Sequence, residues 1–151
     1  MAGSYHQIYL HIVLNVLHRR HLLPDHCDDL CKYVTGIIQG KKHKMIRINN
    51  VPDHVHMLIG FEPDNNIAEL VKVVKTSSNS FINNERLSKT HFYWMEGYGC
   101  FSVGTRKIDL DTVCHYIENQ QEHHETISFK EEYRSLLVSS GVEFKEKYFL
   151  K

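Results

Sequence analysis

Hydrophobic and polar residues alternate along positions 5–16, YHQIYLHIVLNV, with Ile8, Leu10, Ile12 and Leu14 on one side. That period of two predicts a long first β-strand with one buried face. The period then changes. Leu30, Val34, Ile37 and Ile38 form an apolar stripe at helical spacing. Asp25, after Pro24, is placed to cap this helix, and Gly40 with the lysines behind it ends it near Gln39. Alternation returns over Lys44–Val51, and Asn49-Asn50-Val51-Pro52-Asp53 reads as a turn. Next comes PDHVHMLIGF (52–61), where Val55, Met57, Ile59 and Phe61 alternate with His54, His56, Leu58 and Gly60. Ile67–Arg86 has a helical period through Ile67, Leu70, Val71, Val74, Phe81 and Ile82. FYWME (92–96) and YGCFSV (98–103) give a last strand or strand pair divided at Gly97. Residues 108–124 and 128–139 read as two more helices, the second with Ser128 as cap and Glu131 completing a capping box.

The predicted order is β-α-β-β-α-β with two helices appended. This is the split β-α-β arrangement, an α+β fold of the ferredoxin-like or RRM-like kind, with an antiparallel sheet and two helices on one face. The 54–61 strand is expected at the centre. Val55, Met57 and Ile59 then lie under the helices, and His54 and His56 on the opposite, open face, which something must cover or bind. A chain of 151 residues is most simply one domain, residues 1–151. No apolar run approaches the ~20 residues of a membrane span, and the opening MAGSYHQIYLHIV lacks a basic start. Cys27, Cys31, Cys100 and Cys114 form no CxxC pair. The expectation is a cytoplasmic protein with reduced, half-buried thiols and no membrane partner.

Two features carry candidate chemistry. His54 and His56 share one face of a strand, so their imidazoles start roughly 6–7 Å apart and can lean onto one ion. The chain holds 12 histidines, so on spacing alone a surface or hydrogen-bonded pair is the stronger reading. In VCHYIENQQEHH, Tyr116 and Gln120 are four apart and share a helix face beside Leu110, Val113 and Ile117. On its own that pair reads more simply as a tyrosine at a packing edge with a solvated glutamine.

Together, His54-Val55-His56 and Tyr116-Ile117-Glu118-Asn119-Gln120 resemble a specific family. It is the HUH-type single-strand DNA transposases with one catalytic tyrosine, from minimal bacterial insertion sequences (the IS200-like transposases). The resemblance continues through IYLHIV, VKTSSNSFIN, HFYWMEGYGCFSV and GVEFKEKYFL, nearly the whole chain. It implies a ferredoxin-like fold, a divalent metal held by His54, His56 and Gln120, and Tyr116 as nucleophile forming a covalent 5′-phosphotyrosine with single-stranded DNA. Those residue types suit the chemistry. A cation on the non-bridging oxygens stabilises charge in phosphoryl transfer. Mixed N/O ligation suits Mn²⁺, or Mg²⁺ once phosphate adds oxygens, and the lack of Cys ligands argues against structural zinc. A tyrosyl link conserves the bond energy, so rejoining needs no ATP; accordingly no GxxxxGK[ST] sequence is present.

The resemblance further implies a homodimer, in which the tyrosine helix can complete the partner's histidine site, and a DNA hairpin near the element ends. Gly104 is a candidate hinge for such an exchange. Formal net charge is zero, so no overall basic excess marks a nucleic-acid binder. Local clusters make Arg19, Arg20, Lys41, Lys42 and Lys44 the candidates for DNA-backbone contacts. Tyr93 and Trp94 are candidates for stacking on unpaired bases, with core packing the stronger expectation for Trp94. The alternative reading is a domesticated relative that nicks or only binds repeated hairpins. A histidine-triad nucleotide hydrolase would need a further histidine where Leu58 stands.

Overall fold

Strands form where the alternation is strongest. The computed structural model describes residues 3–17, 26–146 and 149. Its strands are β1 (Tyr9–Asn15), β2 (Lys44–Val51), β3 (His54–Gly60) and β4 (Gly99–Val103). Neighbours pair antiparallel in the order β2-β3-β1-β4, the ferredoxin-like sheet that the sequence predicts, with the histidine strand inside. Helices α1 (Cys27–Gly40) and α2 (Ile67–Asn84) cover one face, and α3 (Lys107–Glu118), α4 (Gln120–His123) and α5 (Phe129–Ser139) follow β4.

The main core forms where the two periodicities meet. Ile12 and Leu14 of β1 with Val55, Met57 and Ile59 of β3 pack against Leu30, Val34 and Ile38 of α1 and Leu70 and Val74 of α2. Burying each such side chain contributes roughly 1.5–3 kcal/mol, so this face dominates the stability. Side chains cap two helices: Asn66 Oδ1 accepts from Glu69 N at 3.1 Å, and Ser128 Oγ from Glu131 N at 3.2 Å. All four cysteines are free and half-buried. Among the described residues no helix is long and apolar enough to cross a membrane.

Several expectations change. The imidazole side of the sheet, left open by α1 and α2, is covered by α5: Phe129, Tyr133 and Leu137 pack on Val13 of β1, because this amphipathic helix must bury its own stripe. The helix expected over 108–124 breaks at Asn119 (φ −94°, ψ 17°). Asn49 of β2 accounts for the break. Its amide donates to Ile117 O at 2.9 Å and Glu118 O at 3.3 Å and exchanges two 2.8 Å bonds with Gln121. Carbonyls left over at a helix end are thereby satisfied. The Arg47–Glu118 pair at 2.8 Å adds a second tie.

The last strand is Gly99–Val103 alone; Trp94 meets the sheet by one bridge to Val16. Its partly buried indole packs on the core and donates to Ser78 Oγ at 2.9 Å. Helix α1 begins at Cys27, and its N-cap His26 makes no side-chain capping bond. Asp25, Arg19 and Arg20 lie outside the described residues. Past α1 the left-handed residue is Lys42 (φ 74°), not Gly40. At Gly104 a Cβ would collide with the Asp109 carboxylate, which accepts from Arg106 N at 3.2 Å.

Candidate functional site

The site is built on the covered face. Register sets Val13 of β1 opposite His56 and Asn15 opposite His54, so side chains at alternate positions, His11 among them, share the imidazole face. His11 Nε2 and His56 Nδ1 are 2.8 Å apart. The last turn of α3 brings in Tyr116, α4 opens with Gln120, and α5 contributes Glu132. His54 Nε2 stands 3.0 Å from Gln120 Oε1 and 3.5 Å from Glu132 Oε1. His56 Nε2 stands 2.9 Å from Glu132 Oε1, and Gln120 Nε2 donates to Glu132 Oε2 at 3.3 Å. None of these four side chains is more than 2% exposed. Asp53 Oδ1, 2.7 Å from His54 Nδ1, orients that ring as carboxylates do behind metal-bound histidines. Phe129 stacks on it at 4.0 Å between centroids.

The tyrosine stands at the edge of this cluster. Its ring centroid lies 5.4 Å from that of His56, 6.0 Å from His11 and 5.7 Å from His123. Its hydroxyl is buried and meets hydrogen-bond geometry with no described residue. Burial, and then the neighbouring Glu132 carboxylate, push the Tyr116 pKa up. Burial pushes His11 down to about 3, with His56 adding to the effect. It pushes His56 down to about 4 against the pull of the Glu132 hydrogen bond. Glu132 goes the other way to a buried acid. Desolvation works to raise its pKa, but the hydrogen bond and charge of His56 outweigh it and hold the carboxyl well below the usual range.

Within this donor set the group that fits a divalent cation is His54, His124 and Glu132, and His56 stands outside it. On an octahedral ion with bonds of about 2.1 Å, neighbouring ligand atoms stand about 3 Å apart, and the 2.9, 3.0 and 3.5 Å separations above are of that size. The ligand atoms of His54, His124 and Glu132 all lie within 4.8 Å of one another. His124 Nε2 is buried and stands 3.2 Å from Glu132 Oε2.

The sequence-derived set of Tyr116, His54, His56 and Gln120 therefore comes together within one chain. The lysines do not join it. Lys41, Lys42 and Lys44 are exposed at the α1–β2 turn, and Lys44 pairs with Gly60, at the far end of β3 from His54. Six residues of strand make that about 20 Å. Glu132, His11, His123 and His124 join this cluster and are not among the residues read from the sequence. For Glu132 a signal existed: it falls on the apolar stripe of Phe129, Tyr133 and Leu137, where a carboxylate has no place unless paired. His123-His124 stands three residues past Gln120, and its role depends on the break at Asn119.

Comparison with known proteins points the same way. The family model described as "Transposase IS200 like" matches residues 4–120. No curated protein sequence matches the chain. Among solved structures, a protein of Deinococcus radiodurans R1 assigned as a transposase is similar in fold, with TM-score 0.59 at 20% identity over 80% of this chain and 95% of its own. A REP-associated tyrosine transposase bound to a REP hairpin gives TM-score 0.59 at 13% identity over 84% of this chain and 74% of its own. At such identities the two structures speak for the fold, and the family match speaks for membership. The chain belongs to the IS200-like transposase family.

Proposed function

We propose that the chain cuts and rejoins single-stranded DNA at insertion-sequence ends through a covalent 5′-phosphotyrosine on Tyr116. In this reading one divalent cation, Mg²⁺ or Mn²⁺, is held by His54, His56 and Gln120. The observation that carries it is the approach of Tyr116 to the buried His54–His56–Gln120 cluster, 5.4 Å from ring to ring at His56, in a chain of a transposase family. The phenolic oxygen attacks phosphorus in line, and the bond from phosphorus to the 3′ oxygen breaks. The phenol loses its proton, the leaving oxygen gains one, and the 5′ phosphate stays on Tyr116. A later 3′-hydroxyl displaces the tyrosine and restores the phosphodiester. When bound, the cation would withdraw charge from the scissile phosphate and offset the Glu132 charge that raises the Tyr116 pKa. His54, oriented by Asp53, and Gln120, anchored by Glu132, would keep the ligand atoms in place without loop closure.

The substrate class we propose is a DNA hairpin with adjoining single strand, the type of ligand named for the hairpin-bound structural neighbour. The protein would act as a homodimer in the cytoplasm. Assembly of each site within one subunit is the better supported arrangement, because exchange of α3 would break the Asn49 and Arg47 ties to β2. Mixing Tyr116→Phe and His54→Ala chains tests this: cleavage regained in the mixture means shared sites, and none means self-contained ones.

Incubation with Mn²⁺ and an end-labelled single strand carrying an element end tests the function. A protein–DNA adduct that survives denaturation, and is lost in Tyr116→Phe and with chelator, is the expected result. Hairpin binding without any adduct would favour a domesticated binder instead.

A further inference from the structure

Among the described residues the buried carboxylate of α5 is faced by imidazoles and one amide, with no lysine or arginine beside it. Glu132 Oε1 faces His56 Nε2 at 2.9 Å and His54 Nε2 at 3.5 Å. Glu132 Oε2 faces His123 and His124 Nε2 at 3.1 and 3.2 Å and Gln120 Nε2 at 3.3 Å. Among the described residues no lysine or arginine pairs with Glu132; its recorded ion-pair partners are the four imidazoles. Buried charges are paired or coordinate metals, and this carboxylate stands among side chains that can themselves ligate one.

In one neutral tautomer of His54 the hydrogens do not close the cluster. In the tautomer that gives His54 Nδ1–H to Asp53, Nε2 presents a lone pair. That lone pair faces Gln120 Oε1 and Glu132 Oε1, so three acceptors converge with no proton between them. Acceptors turned on one another in a dry interior are the arrangement that a metal ion resolves.

We propose that Glu132 is itself a ligand of the cation, through Oε1, alongside His54, His56 and Gln120. This rests on the metal-dependent reading above. Glu132 lies beyond residues 4–120, the part that matches the family, so this ligand comes from the helix that covers the site. Several consequences follow from the chemistry. Four protein ligands leave about two positions of an octahedron for phosphate and water. An anionic oxygen suits Mg²⁺ or Mn²⁺ and lets the cation bind before DNA arrives. His123, His124 and Gln120 then hold the second carboxylate oxygen and set its angle.

The test is a Mn²⁺ titration of the full-length protein without DNA, read by the electron paramagnetic resonance of free Mn²⁺. Wild type is expected to bind one Mn²⁺ per chain. Glu132→Gln, nearly the same in shape, is expected to raise the Kd at least about tenfold, since even outer-shell substitutions reach that size. Glu131→Gln, an exposed neighbour on the same helix, is expected to bind as wild type. Loading with Co²⁺ gives a second readout, because exchanging a carboxylate for an amide shifts the visible absorption of a directly bound metal. Thermal unfolding of each apo variant shows that it is folded; should Glu132→Gln not fold, Glu132→Asp is read by the same two criteria. Unchanged Mn²⁺ affinity and Co²⁺ spectrum in the Glu132 variant overturn the assignment. If those persist together with a metal-dependent adduct, only Glu132 falls. If wild type takes up no Mn²⁺ and forms no adduct, the functional reading falls with it.

Discussion

Acid should unfold this protein through two histidines. His11 and His56 are buried at 5% and 0% exposure, with pKa values lowered to about 3 and about 4 from 6.5. A group whose folded pKa is depressed contributes stability above its unfolded pKa, and that contribution disappears as pH falls toward the folded value. Between about pH 6.5 and pH 4 the unfolded chain binds both protons and the native protein neither, so stability rises with pH across that window. At about pH 5 each imidazole sits roughly 1.5 units below its unfolded pKa, which is about 2 kcal/mol per histidine and about 4 kcal/mol for the pair. Glu132, with its own pKa held low by His56, loses stability in the same direction at lower pH. Urea unfolding followed by the fluorescence of Trp94, the one tryptophan, measures this in chelator at about pH 7.5 and about pH 5. His11→Asn removes one titrating group and should shrink the difference by about 2 kcal/mol. Equal stability at the two pH values, or a His11→Asn difference as large as that of wild type, would refute the reasoning.

Asn49→Ala removes the amide that holds Ile117 O and Gln121 and should destabilise the protein by about 1–3 kcal/mol. It should also weaken Mn²⁺ affinity, because Gln120 follows directly on the break that Asn49 supports; calorimetry of metal binding checks this. A Lys41→Ala/Lys44→Ala variant should leave Mn²⁺ binding unchanged, since these lysines stand about 20 Å along the sheet from His54. It should lower the salt dependence of single-strand binding, the log–log slope losing about 1.4 if both lysines contact phosphate; fluorescence anisotropy at several salt concentrations reads that slope.

The sheet was legible because its periodicity is clean. Strand β2 follows Lys44–Val51 as read, α2 begins at Ile67 as its period predicts, and α5 begins after its cap Ser128. What could not be read depends on contacts distant in sequence. The break at Asn119 is set by Asn49, and the covering of the imidazole face by how α5 buries Phe129 and Tyr133. The site divides in the same way. His54 and His56 stand in local alternation, and Tyr116 and Gln120 are four residues apart, so both pairs could be found along the chain. His11 joins them only through the antiparallel register of β1 and β3, and Glu132 only through the docking of α5. A glutamate on an apolar helical stripe was the one local sign that something charged had to be met there.

The most direct measurement is anomalous diffraction from crystals of the wild-type protein grown with Mn²⁺. One anomalous peak per chain is expected, within bonding distance of His54 Nε2, His56 Nε2 and Gln120 Oε1, with Glu132 Oε1 in the same shell and Tyr116 directed toward it. A peak away from these atoms, or none at saturating Mn²⁺, would contradict a cation centre on this face of the sheet.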